Sequence, residues 1–318
     1  MAQRVVVVGA GVVGLSCAVR LAEAGYDTHV VARDLPAETT SAVAGGLWLP
    51  YLAGPAESVL RWGRTTFAEL AAICRAHPDA GVRLADGLLL HRDADPPPPP
   101  WLAAVSGLAA VHRVSAPRAG FASAWAVRVP LVDPGRYLPW LVARLAAAGG
   151  TVTRMALPAL PGQGIVVDAT GVSARALAHD AEVVPVRGQV VVVANPGLST
   201  WWVDEDSDGR AGAPTYALPR GDHVVVGGTS DVGSWDTEPD ADVARAILRR
   251  AEAVEPALAG ARVLAHRVGL RPSRPAVRVA AEPHAGGAVV HCYGHGGSGY
   301  ALSWGCADDV LSLVVGLP

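Results

Sequence analysis

Six residues near the start of the chain, Gly9-Ala10-Gly11-Val12-Val13-Gly14, have the types and the spacing to hold a pyrophosphate. Gly9 permits a sharp turn after a strand. Gly11 lets backbone N–H groups approach phosphate oxygens with no Cβ in the way, and Gly14 lets the following helix pack closely. The N-terminus of that helix then offers unpaired N–H groups and a partial positive charge to an anion. A second glycine cluster, Gly294-His295-Gly296-Gly297-Ser298-Gly299, also stands before a helical pattern. It could face the pyrimidine edge of a flavin, where reduction builds negative charge that N–H groups and a helix dipole stabilise. The chain contains no lysine: all 26 basic residues are arginine. That excludes Schiff-base chemistry, pyridoxal-phosphate catalysis and a P-loop lysine. Any anion must be met by backbone or by arginine, whose planar fork suits carboxylates.

The elements that must position these residues are legible from periodicity. A strand at Arg4 to Val8, a helix over Leu15 to Ala24 and a second strand at Thr28 to Ala32 supply the strand–turn–helix–strand context the first motif needs. The second strand closes on Arg33-Asp34, which leaves the cofactor open: an acid there suits a ribose hydroxyl, an arginine the 2′-phosphate of NADP. Thr39-Thr40-Ser41, followed by small residues to Gly46, suits a capped helix start against a flat ligand. A strand at Gly164 to Val167 runs into Asp168-Ala169-Thr170-Gly171, expected beside the cofactor. Further helices are predicted over Glu57 to His77, Arg136 to Ala148 behind an Asp133-Pro134 cap, Asp240 to Ala253, and Tyr300 to Val314. The middle reads as β-rich, with strands at Pro185 to Ala194, Thr200 to Val203, Tyr216 to Leu218 and His223 to Val226. A strand at Val263 to Val268 delivers Gly269-Leu270-Arg271-Pro272-Ser273-Arg274-Pro275. The prolines Pro96 to Pro100 make a stiff spacer or a surface loop.

The implied fold class is α/β: a Rossmann-like cofactor domain assembled from residues 1–55, 132–184 and 265–318. Residues 56–131 and 185–264 form an inserted α+β substrate domain with an antiparallel sheet. A length of 318 residues allows two domains, and a net charge of −3 gives no nucleic-acid footprint. No apolar run approaches the ~20 residues of a membrane helix, and the first one is too short for a signal peptide. A soluble, cytoplasmic protein is expected. Cys17, Cys74, Cys292 and Cys306 form no C-x-x-C pair, so reduced thiols are expected, and no metal.

Taken together, Val7 to Leu15, Ala32 to Pro36, Ala44-Gly45-Gly46-Leu47-Trp48, Val268 to Pro275 and Tyr293 to Gly299 resemble the D-amino-acid oxidase family, in a bacterial-type form, over nearly the whole chain. The last two motifs are the specific ones. The resemblance implies a non-covalent FAD in the discontinuous domain. It also implies oxidative deamination of D-amino acids, with O₂ as acceptor, to 2-oxo acids, ammonia and hydrogen peroxide. It implies flavin contacts from Gly9, Ala10, Gly11, Val12, Val13, Gly14, Arg33, Asp34, Thr40, Ser41, Gly45, Gly46 and Leu47. Thr170, Gly171, Gly296, Gly297, Ser298, Gly299, Tyr300 and Ala301 complete that set. Arg271 would grip the substrate carboxylate, Tyr216 would support it, and the Gly297 carbonyl would accept from the substrate amine. Hydride passes from Cα to flavin N5, so no side-chain acid or base is nominated. A homodimer is the candidate assembly.

The chain departs from that family at three points. Gly212 stands where many members have a second active-site tyrosine, and Leu49 where glutamine is common. Gly227-Gly228-Thr229 is followed by Ser230, where D-aspartate oxidases place an arginine. With the acidic stretch Asp204-Glu205-Asp206-Ser207-Asp208, this favours neutral or basic D-amino acids over D-aspartate. D-aspartate oxidase, a glycine or sarcosine oxidase, an NADP-dependent reductase and a flavin-binding sensor remain as alternatives.

Overall fold

The computed structural model describes residues 2–50, 53–205, 214–284 and 286–317. The chain opens with β1 (Arg4–Val8), α1 (Val12–Glu23) and β2 (Asp27–Ala32). A single turn, α2 (Thr40–Val43), and the long α3 (Ala56–Ala76) precede β3 (Val82–His91), β4 (Val111–Arg118) and β5 (Phe121–Val132). Then come α4 (Pro134–Ala147), β6 (Thr151–Arg154), β7 (Gly164–Asp168) and another single turn, α5 (Ala174–Leu177). The middle holds β8 (Val184–Ala194), β9 (Trp201–Asp204), β10 (Thr215–Arg220), β11 (His223–Gly227) and the two-residue β12 (Asp231–Val232). The chain closes with α6 (Ala241–Val254), β13 (Val263–His284), β14 (Gly287–His295) and α7 (Gly299–Val315).

Two compact units result. One comprises Met1–Val82, Val132–Pro185 and Arg271–Pro318, the other Arg83–Leu131 and Val186–Leu270. In the first, the strands run β14-β7-β1-β2-β6, all parallel, with β13 antiparallel to β14. Val5, Val7, Val30, Val166, Val167 and Val290 are fully buried, the mark of a parallel sheet covered on both faces. The boundary expected at residue 55 lies instead at residue 82, because α3 belongs with this unit. A Cβ on Gly305 of α7 would stand 2.4 Å from Trp62 Cα, so only glycine permits that crossing. Gly305 N also donates to Thr66 Oγ1 (3.0 Å), and Trp62 Nε1 to Asp309 (2.7 Å).

In the second unit the order is β4-β5-β3-β9-β10-β11-β8. The β4–β5, β9–β10, β10–β11 and β8–β11 pairs are antiparallel, and β3–β9 is parallel. Helix α6 lays Ala244, Ile247 and Ala251 on Val191, Val193, Ala217, Val224 and Val226. Its start is capped by Asp240, which accepts from Asp242 N and Val243 N (2.7 and 3.1 Å). Helix α4 in the first unit starts the same way, with Asp133 accepting from Gly135 N (2.9 Å) and Pro134 at the first helical position.

Two elements differ from expectation. Strand β4 has no clean alternation of apolar residues, because its residues are largely exposed. The Arg271-to-Pro275 segment lies inside β13 and not in a loop after it. Pro275 is tolerated because the register with β14 slips between Ser273 and Arg278, freeing the backbone there from the ladder. Among the described residues, no helix is long and apolar enough to cross a membrane.

Candidate active site

Four segments distant in sequence meet at the C-terminal ends of the parallel strands, where open α/β sheets bind ligands. Gly9, at the end of β1, has φ +115°, and a Cβ there would stand 2.3 Å from Ala169 O. That brings the Thr170–Gly171 turn against the first glycine motif. A Cβ on Gly14 would stand 2.0 Å from Gly9 O, so the turn into α1 closes only around glycine. Gly299, opening α7, lies against Val12 and Val13 at 3.5 and 3.9 Å, which brings the second glycine cluster onto the first.

Ser41 joins these parts. Its Oγ accepts from Val12 N (3.0 Å), and its carbonyl accepts from Tyr300 Oη (3.0 Å). The hydroxyl expected to cap its own helix thus serves the start of α1, and α2 is only one turn long. Thr39 instead donates to Pro36 O (2.8 Å). Gly46 O accepts from Val132 N (2.9 Å), which fixes the small-residue segment that carries Thr40, Gly45 and Leu47.

The two helix starts at this place contrast with those of α4 and α6. Neither α1 nor α7 has a side-chain cap from its own N-cap residue or an acid in its first turn. By contrast, α4 and α6 are closed by Asp133 and Asp240. A helix start at a glycine turn with no acid in its first turn suits an anion, although Ser41 Oγ already accepts from Val12 N at α1, and close-approach glycines leave room for one. The residues fit a dinucleotide.

At the end of β2, Arg33 forks onto its neighbour Asp34, with Nε 3.0 Å from both carboxylate oxygens and Nη2 2.6 Å from Oδ2. The arginine that could have met a 2′-phosphate is neutralised by the acid next to it. Asp168, at the head of the segment expected beside the cofactor, is fully buried at the end of β7. It accepts from Thr170 N (3.2 Å) and Thr170 Oγ1 (2.7 Å), and its other oxygen lies 3.0 Å from His291 Nδ1. The parallel register pairs His291 with Asp168 across β14 and β7. No spacing in the sequence reveals that contact; it exists only once the two strands are neighbours.

Arg271 lies half-buried in β13. The next residue, Pro272, accepts from Gly296 N through its carbonyl (2.8 Å), and its ring is 3.8 Å from where a Gly171 Cβ would be. The backbone beside Arg271 is therefore bound to the second glycine cluster. The other arginines nearby are structural: Arg274 pairs with Asp180 (3.0 Å) and Glu182, and Arg278 donates to Tyr293 Oη (2.6 Å) and pairs with Glu282. In the second unit, Tyr216 stands on β10 directly across from Gly227 of β11. Asp204 is buried at the end of β9 and held by both arms of Arg92 (2.8 Å each), so it is not a loop charge. Asp206, Ser207, Asp208 and Gly212 lie outside the described residues. Leu49 is buried.

Cys17, Cys292 and Cys306 gather in the core of the first unit, with Cys17 and Cys292 Sγ 4.0 Å apart. Cys292, His295 and Cys306 bring ligand-type atoms within 4.8 Å of one another. A hydrogen bond to Cys292, then burial, pushes the Cys17 thiol up, and burial pushes Cys306 up. Burial alone pushes the His295 imidazole down to about 4.

These features define a dinucleotide-binding α/β oxidoreductase fold. Residues 4–313 match the family described as FAD dependent oxidoreductase, DAO, and the chain belongs to that family. It is 47% identical over 315 residues to a D-amino-acid oxidase of Rubrobacter xylanophilus, covering 98% of this chain and 95% of the relative. It is 36% identical over 329 residues to a human D-aspartate oxidase, covering 98% and 94%. Glycine oxidase from Bacillus cereus shares the fold, with a TM-score of 0.80 at 21% identity over 99% of this chain and 95% of that one. The cofactor is FAD, as the family requires.

His295 makes stability depend on pH. Its folded-state value lies below the unfolded one, so the unfolded chain binds more protons between pH 6.5 and about 4, and stability falls as pH drops through that window. Urea unfolding of the holoprotein is expected to show roughly 2 kcal/mol less stability at pH 5 than at pH 8 from this group. His295→Gln should remove that difference. An unchanged pH dependence in the variant contradicts the assignment.

Proposed function

We propose that this chain oxidises D-amino acids with FAD and O₂, giving 2-oxo acids, ammonia and hydrogen peroxide, with Arg271 as the residue that holds the substrate. Full-length identity of 47% to a D-amino-acid oxidase supports the activity. The single geometric observation behind the residue is the Gly296 N to Pro272 O bond, which ties the backbone next to Arg271 to a glycine cluster suited to the flavin.

FAD, when bound, supplies a hydride acceptor that O₂ regenerates. The protein's part is positioning. The Arg271 guanidinium grips the carboxylate through two parallel hydrogen bonds, and the Tyr216 phenol is the second donor that the resemblance to the family suggests for it. The Gly297 carbonyl accepts from the substrate amine. Three points of attachment orient Cα–H and turn a bimolecular encounter into a positioned transfer. They also select one enantiomer, because exchanging H and side chain turns the hydrogen away. A substrate whose amine is already neutral needs no side-chain base. The starts of α1 and α7 would hold the pyrophosphate and the pyrimidine edge of the flavin.

Replacing Arg271 by alanine leaves a desolvated carboxylate without its partner. Arg271→Ala is expected to raise KM by about two to three orders of magnitude while flavin absorbance and folding are retained. A KM within a few-fold of the parent rejects the role.

On the side chain, we infer that neutral or basic D-amino acids are preferred. Ser230 supports this, standing where D-aspartate oxidases carry an arginine. The human D-aspartate oxidase relative keeps the acidic reading in play. Turnover of D-Met and D-Arg is expected to exceed that of D-Asp at equal concentration; fastest oxidation of D-Asp overturns the preference.

A further inference from the structure

We propose that Arg250 and Gly227 are positioning residues for Tyr216, setting where its phenol stands; this rests on the reading of Tyr216 as a substrate-carboxylate donor.

Tyr216 and Gly227 are opposite residues in an antiparallel pair. The ring lies down on the strand: a Cβ on Gly227 would stand 2.0 Å from Tyr216 Cζ and 2.3 Å from Oη. A Cβ on Gly228 would stand 3.2 Å from the same Oη. The phenol therefore extends along β11 past Gly227 towards Gly228, and any side chain at Gly227 would expel it. A glycine opposite an aromatic residue is a packing device in sheets, because the ring covers the backbone that glycine exposes.

That platform is held from outside the sheet. Arg250, on α6, donates from Nε to Thr215 Oγ1 (3.0 Å) and from Nη2 to Gly228 O (2.8 Å). Thr215 is the residue before Tyr216, and Gly228 follows Gly227. Gly228 N in turn donates to Pro214 O (2.8 Å). The two strand ends that fix the phenol are thus bridged by one planar cation. Arginine suits the task, since its fork presents two donors in fixed relation, and a single ammonium does not. Helix α6 is itself anchored by Ala244, Ile247 and Ala251 in the core beneath β10 and β11. Gln189 adds a second brace, donating from its backbone N to Thr229 Oγ1 (3.0 Å). With its fork engaged on Thr215 and Gly228, Arg250 acts through the tyrosine and not as a second carboxylate holder.

The test is a kinetic cycle on the FAD-loaded enzyme with D-Met, using Arg250→Met, Tyr216→Phe and both together. Tyr216→Phe is expected to raise KM by about tenfold, Arg250→Met by a similar factor, and the double variant by no more than the larger single effect. Flavin absorbance should stay near the parent's. Thr215→Val, which removes one of the two acceptors at constant size, should raise KM by a smaller factor and serves if Arg250→Met does not fold. Additive KM effects in the double variant, or an unchanged KM in Thr215→Val, overturn the positioning role. Loss confined to D-Asp turnover in Arg250→Met also overturns it, making Arg250 a contact for acidic side chains. An unchanged KM in Tyr216→Phe instead rejects the reading of the tyrosine itself.

Discussion

The constraint on which the first unit depends is the close approach of backbones at places where a Cβ cannot stand. Gly9 sits against Ala169 and Gly14 against Gly9, with ideal Cβ positions 2.3 and 2.0 Å from carbonyl oxygens. Those contacts bring β1, the Thr170 turn and α1 into one corner. Ser41 then bonds to Val12 and Tyr300, so the start of α7 joins the start of α1. The result is a site made almost wholly of main chain. Such a site resists drift, because its shape is set by the sheet and not by rotamers.

The electrostatic side follows from the same choice. Helices α4 and α6 are closed by their own aspartates, which spend their positive ends locally. Helices α1 and α7 begin without an acid in the first turn. The starts of α1 and α7 suit an anionic ligand, and any other anion must be met by backbone or by arginine, the chain having no lysine at all.

Much of this was legible in the sequence, for physical reasons that differ by element. Gly9 to Gly14 and Gly294 to Gly299 could be read because glycine is demanded by local geometry, which spacing records. The α4 start could be read because Asp133 and Pro134 act on their own helix. What spacing does not record is contact between distant segments. Helix α3 looked like part of the inserted domain until Gly305 was found against Trp62. Asp168 and His291 meet only through the β7–β14 register. Arg250 reaches Thr215 and Gly228 only because α6 lies under β10 and β11. Strand β4 was missed because an exposed edge carries no alternation. The strand expected over Val263 to Val268 runs on through Arg271, and Pro275 is accommodated where the register with β14 slips.

The central claim is that this protein orients a D-amino acid so that its Cα hydride reaches FAD. The most direct test is anaerobic mixing of the FAD-loaded protein with D-Met and, separately, L-Met, while following the visible absorption of the flavin. Rapid bleaching with the D-enantiomer and none with the L-enantiomer is the expected result. Bleaching by L-Met at a comparable rate, or by neither enantiomer of any amino acid in a neutral and basic panel, would contradict it.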